Sequence, residues 1–261
     1  MPRTANPALN EQAFEKAAQD WAPPTGAPVQ VERREGAMTL SGTIWAAAAL
    51  LAVVVVAGGV GWSLVERDAD GTVTSFPGWI IVAALAGLGV AILTVFKPHL
   101  ARFTAPVYSI LQGLVVGAIS AVYEAEFEGI VLQAVGLTLG VLAVMLFLYA
   151  TRIIKVTEKL RMGIVGATMA IVLVYLVSFV AQLFGADVGF IHDSGTFGII
   201  FSLVVVGVAA FNFLLDFDLI ERGVKAQAPA HMEWYAAFGL IVTLIWLYLE
   251  MLRLLAKLRS E

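Results

Sequence analysis

The chain has 261 residues, of which 60% are hydrophobic and 14% charged, with a net charge of −4 and a mean hydropathy of +0.88. That is too apolar for a water-soluble core under a polar skin, and the basic residues are too dispersed to form a nucleic-acid surface. The absence of cysteine excludes disulfides, thiol catalysis and thiolate metal sites.

Residues 1–37 carry Glu, Asp, Pro and Arg where a signal peptide would need an apolar centre. The first apolar run is therefore expected to act as its own insertion signal. The stretch from Ala22 to Pro28 holds three of the chain's prolines and no apolar pattern, so residues 1–37 read as a flexible cytoplasmic tail and 38–261 as the folded domain.

A hydrocarbon layer of roughly 30 Å is crossed by about 20 residues of helix. Apolar runs close to that length lie near residues 41–65, 78–96, 104–123, 129–151, 162–184, 196–215 and 234–256. They lack the period-two alternation of a barrel, and backbone groups in lipid must be satisfied within the segment, so the expected fold is an all-α integral membrane protein with seven transmembrane helices. Its principal partner is then the lipid bilayer, and a monomer is expected.

Counting Lys and Arg by loop, the N-terminal tail holds Arg3, Lys16, Arg33 and Arg34, the second loop Lys97 and Arg102, the fourth Arg152, Lys155, Lys159 and Arg161, and the sixth Arg222 and Lys225. The alternate loops hold only Arg67. The positive-inside rule places the N-terminus in the cytoplasm, with Glu66–Asp70, Glu124–Glu128 and Asp187–Asp193 outside. Seven crossings send Arg253, Lys257 and Arg259 outside as well, against the rule; the alternative is a re-entrant last segment. Close helix contacts are expected at Gly113, Gly117 and Ala121, at Gly136 and Gly140, and at Gly163 and Ala167. Trp45, Trp62, Trp79, Trp234 and Tyr235 are placed as interfacial anchors.

On the sixth run, Ser202, Ala209 and Asp216 are seven apart and Asn212 lies four before Asp216, giving one helical stripe. Asp216 is expected where the apolar segment ends, facing the bundle interior because a carboxylate in lipid is penalised by about 2.5 kcal/mol or more. Asp218 falls about 200° around the helix from it. On the last run, Ala236, Gly239, Thr243 and Glu250 form a second stripe; Glu250 either pairs with Arg253 one turn away or serves an ion path, and Glu233 opens the helix where it can complement the dipole. Glu124, Glu126 and Glu128 form a weak candidate cation cluster on the outer side. No H-E-x-x-H, P-loop, dinucleotide fingerprint or G-x-S-x-G occurs, and His99, His192 and His231 are scattered. Neither enzymatic activity nor a cofactor is expected.

Four segments carry a resemblance: Lys97-Pro-His-Leu-Ala-Arg-Phe-Thr-Ala-Pro-Val-Tyr with Gln112-Gly-Leu-Val-Val-Gly117; Gly129 to Thr138; Phe211-Asn-Phe-Leu-Leu-Asp-Phe-Asp-Leu-Ile220; and Glu233-Trp-Tyr-Ala-Ala-Phe-Gly-Leu through to Leu255. Together these resemble the bacterial branch of the Bax inhibitor, or YccA-like, family over about residues 38–257. The resemblance implies a bundle with its last helix near the centre, in a bacterial inner membrane. It further implies a pH-sensitive calcium leak in which an acid at the end of the sixth span shares a proton with one in the seventh. Asp216 matches the first acid. Thr243 stands where the second should be, so Asp218, Glu233 or Glu250 would have to substitute, and a basic latch would fall at Lys97 or Arg102. The rival implication is a non-conducting protein that restrains a membrane-bound quality-control protease.

Overall fold

The computed structural model of the chain describes residues 36–66, 68, 73–74, 77–184 and 195–260, with Lys16 alone ahead of them. Most of the expected tail, and the acidic stretch 187–193, lie outside the described residues.

Seven helices are long and apolar enough to cross a membrane. They are α1 (Leu40–Ser63), α2 (Trp79–Phe96), α3 (Ala101–Glu126, preceded by a 3-10 turn at Pro98–Leu100), α4 (Ile130–Ala150), α5 (Glu158–Leu183), α6 (Thr196–Lys225) and α7 (His231–Arg259). Ala37 and Pro229 form an isolated antiparallel bridge outside them. The protein is an all-α integral membrane protein. Leu40 and the α6–α7 junction lie at the same end of the bundle, here called the N-proximal face.

Helix ends are fixed by local chemistry. Thr39 caps α1 by accepting from Gly42 N at 2.8 Å, and Thr157 caps α5 by accepting from Leu160 N at 3.3 Å. Gly129 enters α4 at φ 76°, a left-handed conformation that a side chain would strain. The chain before α1 is tied to the α6–α7 turn by Met38 N to Ala228 O at 2.6 Å and Ala230 N to Gly36 O at 2.8 Å. Residues 36 and 37 therefore belong to the folded domain rather than to a tail.

The last helix is the central one. α7 packs on α1, α3, α4 and α6, and 67% of its apolar window is buried, against 22% for α2, α4 and α5. It is unbroken from His231 to Arg259, so the last segment does not turn back. Tyr235 is fully buried among Met38, Leu219 and Met232, so it is a core residue and not an interfacial anchor; Trp45, at 76% exposed, fits that role.

Glycines bring α1 and α3 into close contact. A Cβ on Gly117 would overlap the Gly58 carbonyl, and one on Gly61 would overlap the Leu114 carbonyl, so both helices need glycine there. Gly113 sits against Val54 O. Gly136, Gly140 and Gly163, expected to do the same, have nothing within 4 Å of a built Cβ and make no such contact. Spacing alone does not distinguish a glycine that faces a neighbouring backbone from one that faces lipid.

Candidate functional site

The sixth span does not end at Asp216. α6 continues as helix to Lys225, nine residues on, because Leu219, Ile220 and Gly223 keep packing inward while Arg222 and Lys225 face out. Asp216 is therefore inside the bundle, with no exposed surface, and Ser202 and Asn212 on the same stripe are each 1% exposed. From α7, Thr243 Oγ1 donates to Asp216 Oδ2 at 2.7 Å. The two positions paired by the family resemblance are thus in contact, with a hydroxyl in place of the second acid.

Moving away from Asp216 along α6, Asn212 Nδ2 donates to Thr168 Oγ1 of α5 at 3.0 Å and to Val208 O at 2.8 Å. Asn212 Oδ1 and Ser202 Oγ are buried with no hydrogen-bond partner among the described residues. Native interiors rarely leave such atoms unmatched, and here they lie on one line from the carboxylate into the membrane.

On the N-proximal side of Asp216, Asp218 Oδ2 receives Arg161 Nη2 from α5 and Arg222 Nη2 from α6, each at 2.8 Å. Arg161 is only 2% exposed and also lies 3.4 Å from Glu158. Sequence reading counted Arg161 as a loop charge. Its signal was nevertheless present: Arg161, Thr168 and Tyr175 recur at seven-residue steps on α5, and all three bond to acids or amides on α6 and α7.

At the far end, Glu250 is 1% exposed. Arg253 Nη1 donates to both of its oxygens at 2.9 Å, and Tyr175 OH donates to Oε1 at 2.9 Å. The local ion pair considered for Glu250 is thus present. Glu250 lies seven residues, or about 10 Å of helix rise, from Thr243, too far to share a proton with Asp216 directly. The other far-end cations are also engaged: buried Lys257 donates to Gly198 O at 3.0 Å, and Arg259 to Glu128 O at 2.7 Å. This accounts for basic residues on the face where the charge rule disfavours them. Each is absorbed by acceptors of the fold.

Several expected site residues have other tasks. Glu233 Oε1 accepts from Thr39 N at 2.8 Å and Thr39 Oγ1 at 2.9 Å, holding the start of α1 rather than facing Asp216; its carboxylate occupies the space that a Cβ on Gly42 would take. Lys97 and Arg102 are exposed and neither reaches Asp216; the basic side chains adjoining the acids are Arg161 and Arg222. Glu124 accepts from Gly129 N at 2.7 Å and Val131 N at 3.0 Å, capping α4, while Glu126 and Glu128 are exposed. Among the described residues no three His, Cys, Asp or Glu side chains converge on a possible metal position.

The seam from Asp218 through Asp216, Asn212 and Ser202 lies between α5, α6 and α7. It offers carboxylate, amide and hydroxyl oxygens, with cation-bearing clusters at both ends. A family model described as Bax inhibitor 1 like matches residues 6–260. No curated protein and no solved structure matches the chain. With that match spanning all seven helices and the seam they enclose, the chain belongs to the Bax inhibitor 1 like family.

Proposed function

We propose that the protein is a passive cation leak, with calcium as the physiological ion, whose conducting fraction is set by protonation of Asp216. The observation that carries this reading is the fully buried carboxylate held by Thr243 at 2.7 Å on a stripe that continues through Asn212 and Ser202. An ionisable group inside a membrane bundle is a functional site by default, because burying it has no packing advantage. Stable calcium binding takes six to eight oxygens, and the few along this seam suit passage better than retention.

The coupling to pH is electrostatic. Ionised Asp216 only accepts hydrogen bonds, and its charge lies two residues along α6 from Asp218, the carboxylate that Arg161 and Arg222 hold. Protonation removes that charge and gives the group a donor of its own. It thereby alters the contact between α6 and α7 and the balance of charge that ties α5 to α6. If the open arrangement tolerates neutral Asp216 better than the closed one, acid raises the open population. The N-proximal face is the cytoplasmic one in this reading, and accessibility labels placed near residues 68, 126 and 257 should all report the opposite side.

Cation flux from liposomes holding the purified protein tests the reading. Wild type should leak more at acid than at neutral pH. Thr243→Asp creates two acids sharing one proton and should move the response toward neutral pH. Absence of flux from acid to neutral pH would leave the family's other implied role, a non-conducting partner of a membrane protease, in its place.

A further inference from the structure

A second feature is independent of the seam. Between α1 and α4, with α6 and α7 as its floor, an open cleft of about 720 Å³ runs inward from the N-proximal face. That volume is in the range of pockets that hold a small molecule, roughly 300–1,000 Å³. Its walls are apolar, with Leu51, Leu146, Phe213, Phe217 and Leu244 among them. Every polar group of consequence is at the mouth.

The mouth is organised around Glu221. Arg152 Nη2 and Lys225 Nζ both donate to its Oε1 at 2.5 Å, and Tyr149 OH donates to Oε2. Arg152 also lies over the Tyr149 ring, 5.5 Å from its centre. The carboxylate is 25% exposed, whereas Arg152 and Lys225 are 56% and 69% exposed. Two cations against one carboxylate leave a net charge of +1 on the outer side of the rim. The half-buried anion sets where the cations stand, and the N–H donors of the two cations outnumber the one contact each makes to it.

We infer that this cleft binds a phospholipid with an anionic headgroup, one acyl chain lying in the apolar trough and the headgroup phosphate seated on Arg152 and Lys225. A trough in lipid fills with hydrocarbon whatever its rim. The rim is what selects: a net positive mouth favours a net negative headgroup, and fixed basic side chains between transmembrane helices are suited to that chemistry. A zwitterionic lipid of the same chains gains the trough but not the charge.

The test is lipid retention by the purified full-length chain in detergent, counted by native mass spectrometry during titration with phosphatidylglycerol and with phosphatidylcholine of matched chains. One phosphatidylglycerol should be retained, with a preference of about fivefold for the one unit of rim charge. Arg152→Gln with Lys225→Gln should abolish the preference while leaving an equal, weak retention of both lipids. Leu146→Trp, which fills the trough, should reduce retention of both. Equal retention of the two lipids by wild type would overturn the inference, as would a preference that survives the double substitution in protein with an unchanged unfolding temperature. Retention that develops only after deletion of residues 1–35 would assign the cleft to that segment of the chain instead.

Discussion

The two ends of the polar seam use the same residue types in different connections. At the N-proximal end, Asp218 joins Arg161 of α5 to Arg222 of its own helix, and Asp216 is bonded across to Thr243 of α7. At the far end, Glu250 and Arg253 are one turn apart on α7, with Tyr175 the cross-helix contact. Relative movement of α5, α6 and α7 therefore breaks the Arg161–Asp218 and Thr243–Asp216 contacts and leaves the intrahelical pairs Arg222–Asp218 and Arg253–Glu250 intact. The difference teaches where a gate can be: the N-proximal end is built from contacts that helix motion makes and breaks, while the far end carries its compensating charge with it.

Removing charge at the far end should give the largest loss of stability. Glu250→Gln leaves Arg253, whose side chain is 29% exposed, without its anion, and should cost about 3 kcal/mol, at the low end for a broken buried pair because Tyr175 and solvent remain available. Thermal unfolding in detergent measures it, and the pH response of any flux should survive. If Glu250→Gln instead erased the pH response without affecting stability, the division between a gate and a fixed end would be wrong.

The next effect sharpens the contrast between glycines that touch backbone and those that do not. Gly117→Val drives a branched side chain into the Gly58 carbonyl and should destabilise by about 2 kcal/mol or more through overpacking. A smaller loss, about 1 kcal/mol, is expected for Thr243→Val, which removes the hydroxyl from Asp216 and deprives a buried oxygen of a donor. Its effect on flux should exceed that of Glu250→Gln, since it acts on the bonds that movement of α6 against α7 would break. The smallest change has the opposite sign. Gly136→Ala, with open space around it, should stabilise by about 0.5 kcal/mol through helix propensity alone.

The membrane fold was legible because span length is a property of hydropathy alone, and six of the seven runs both begin and end within a few residues of their helices. The exception is instructive. α6 outruns its apolar stretch because the segment after Asp216 stays amphipathic, with Leu219 and Ile220 inward and charges outward, and a hydropathy window registers only the mean. Asp216 and Asn212 were legible as a stripe, since they share a helix and a period. The partners on other helices were not. Nothing local to Glu233 shows that it will hold Thr39, 194 residues away, and nothing at the end of α4, where Tyr149 and Arg152 lie, shows that both will meet Glu221. Arg161 was obscured for a different reason: a charge count by loop erases helix phase, and phase places it on the same face of α5 as Thr168 and Tyr175.

The most direct test of the central claim is a paired measurement of calcium efflux from liposomes containing wild-type protein or Asp216→Asn, from acid to neutral pH. The substitution preserves shape and removes the titrating group, and circular dichroism with an unfolding curve confirms that the bundle is retained. The account predicts efflux that falls as pH rises in wild type and a flat profile for Asp216→Asn. A wild-type protein that passes no cation at any of these pH values, or a variant that keeps the full pH dependence, would contradict it.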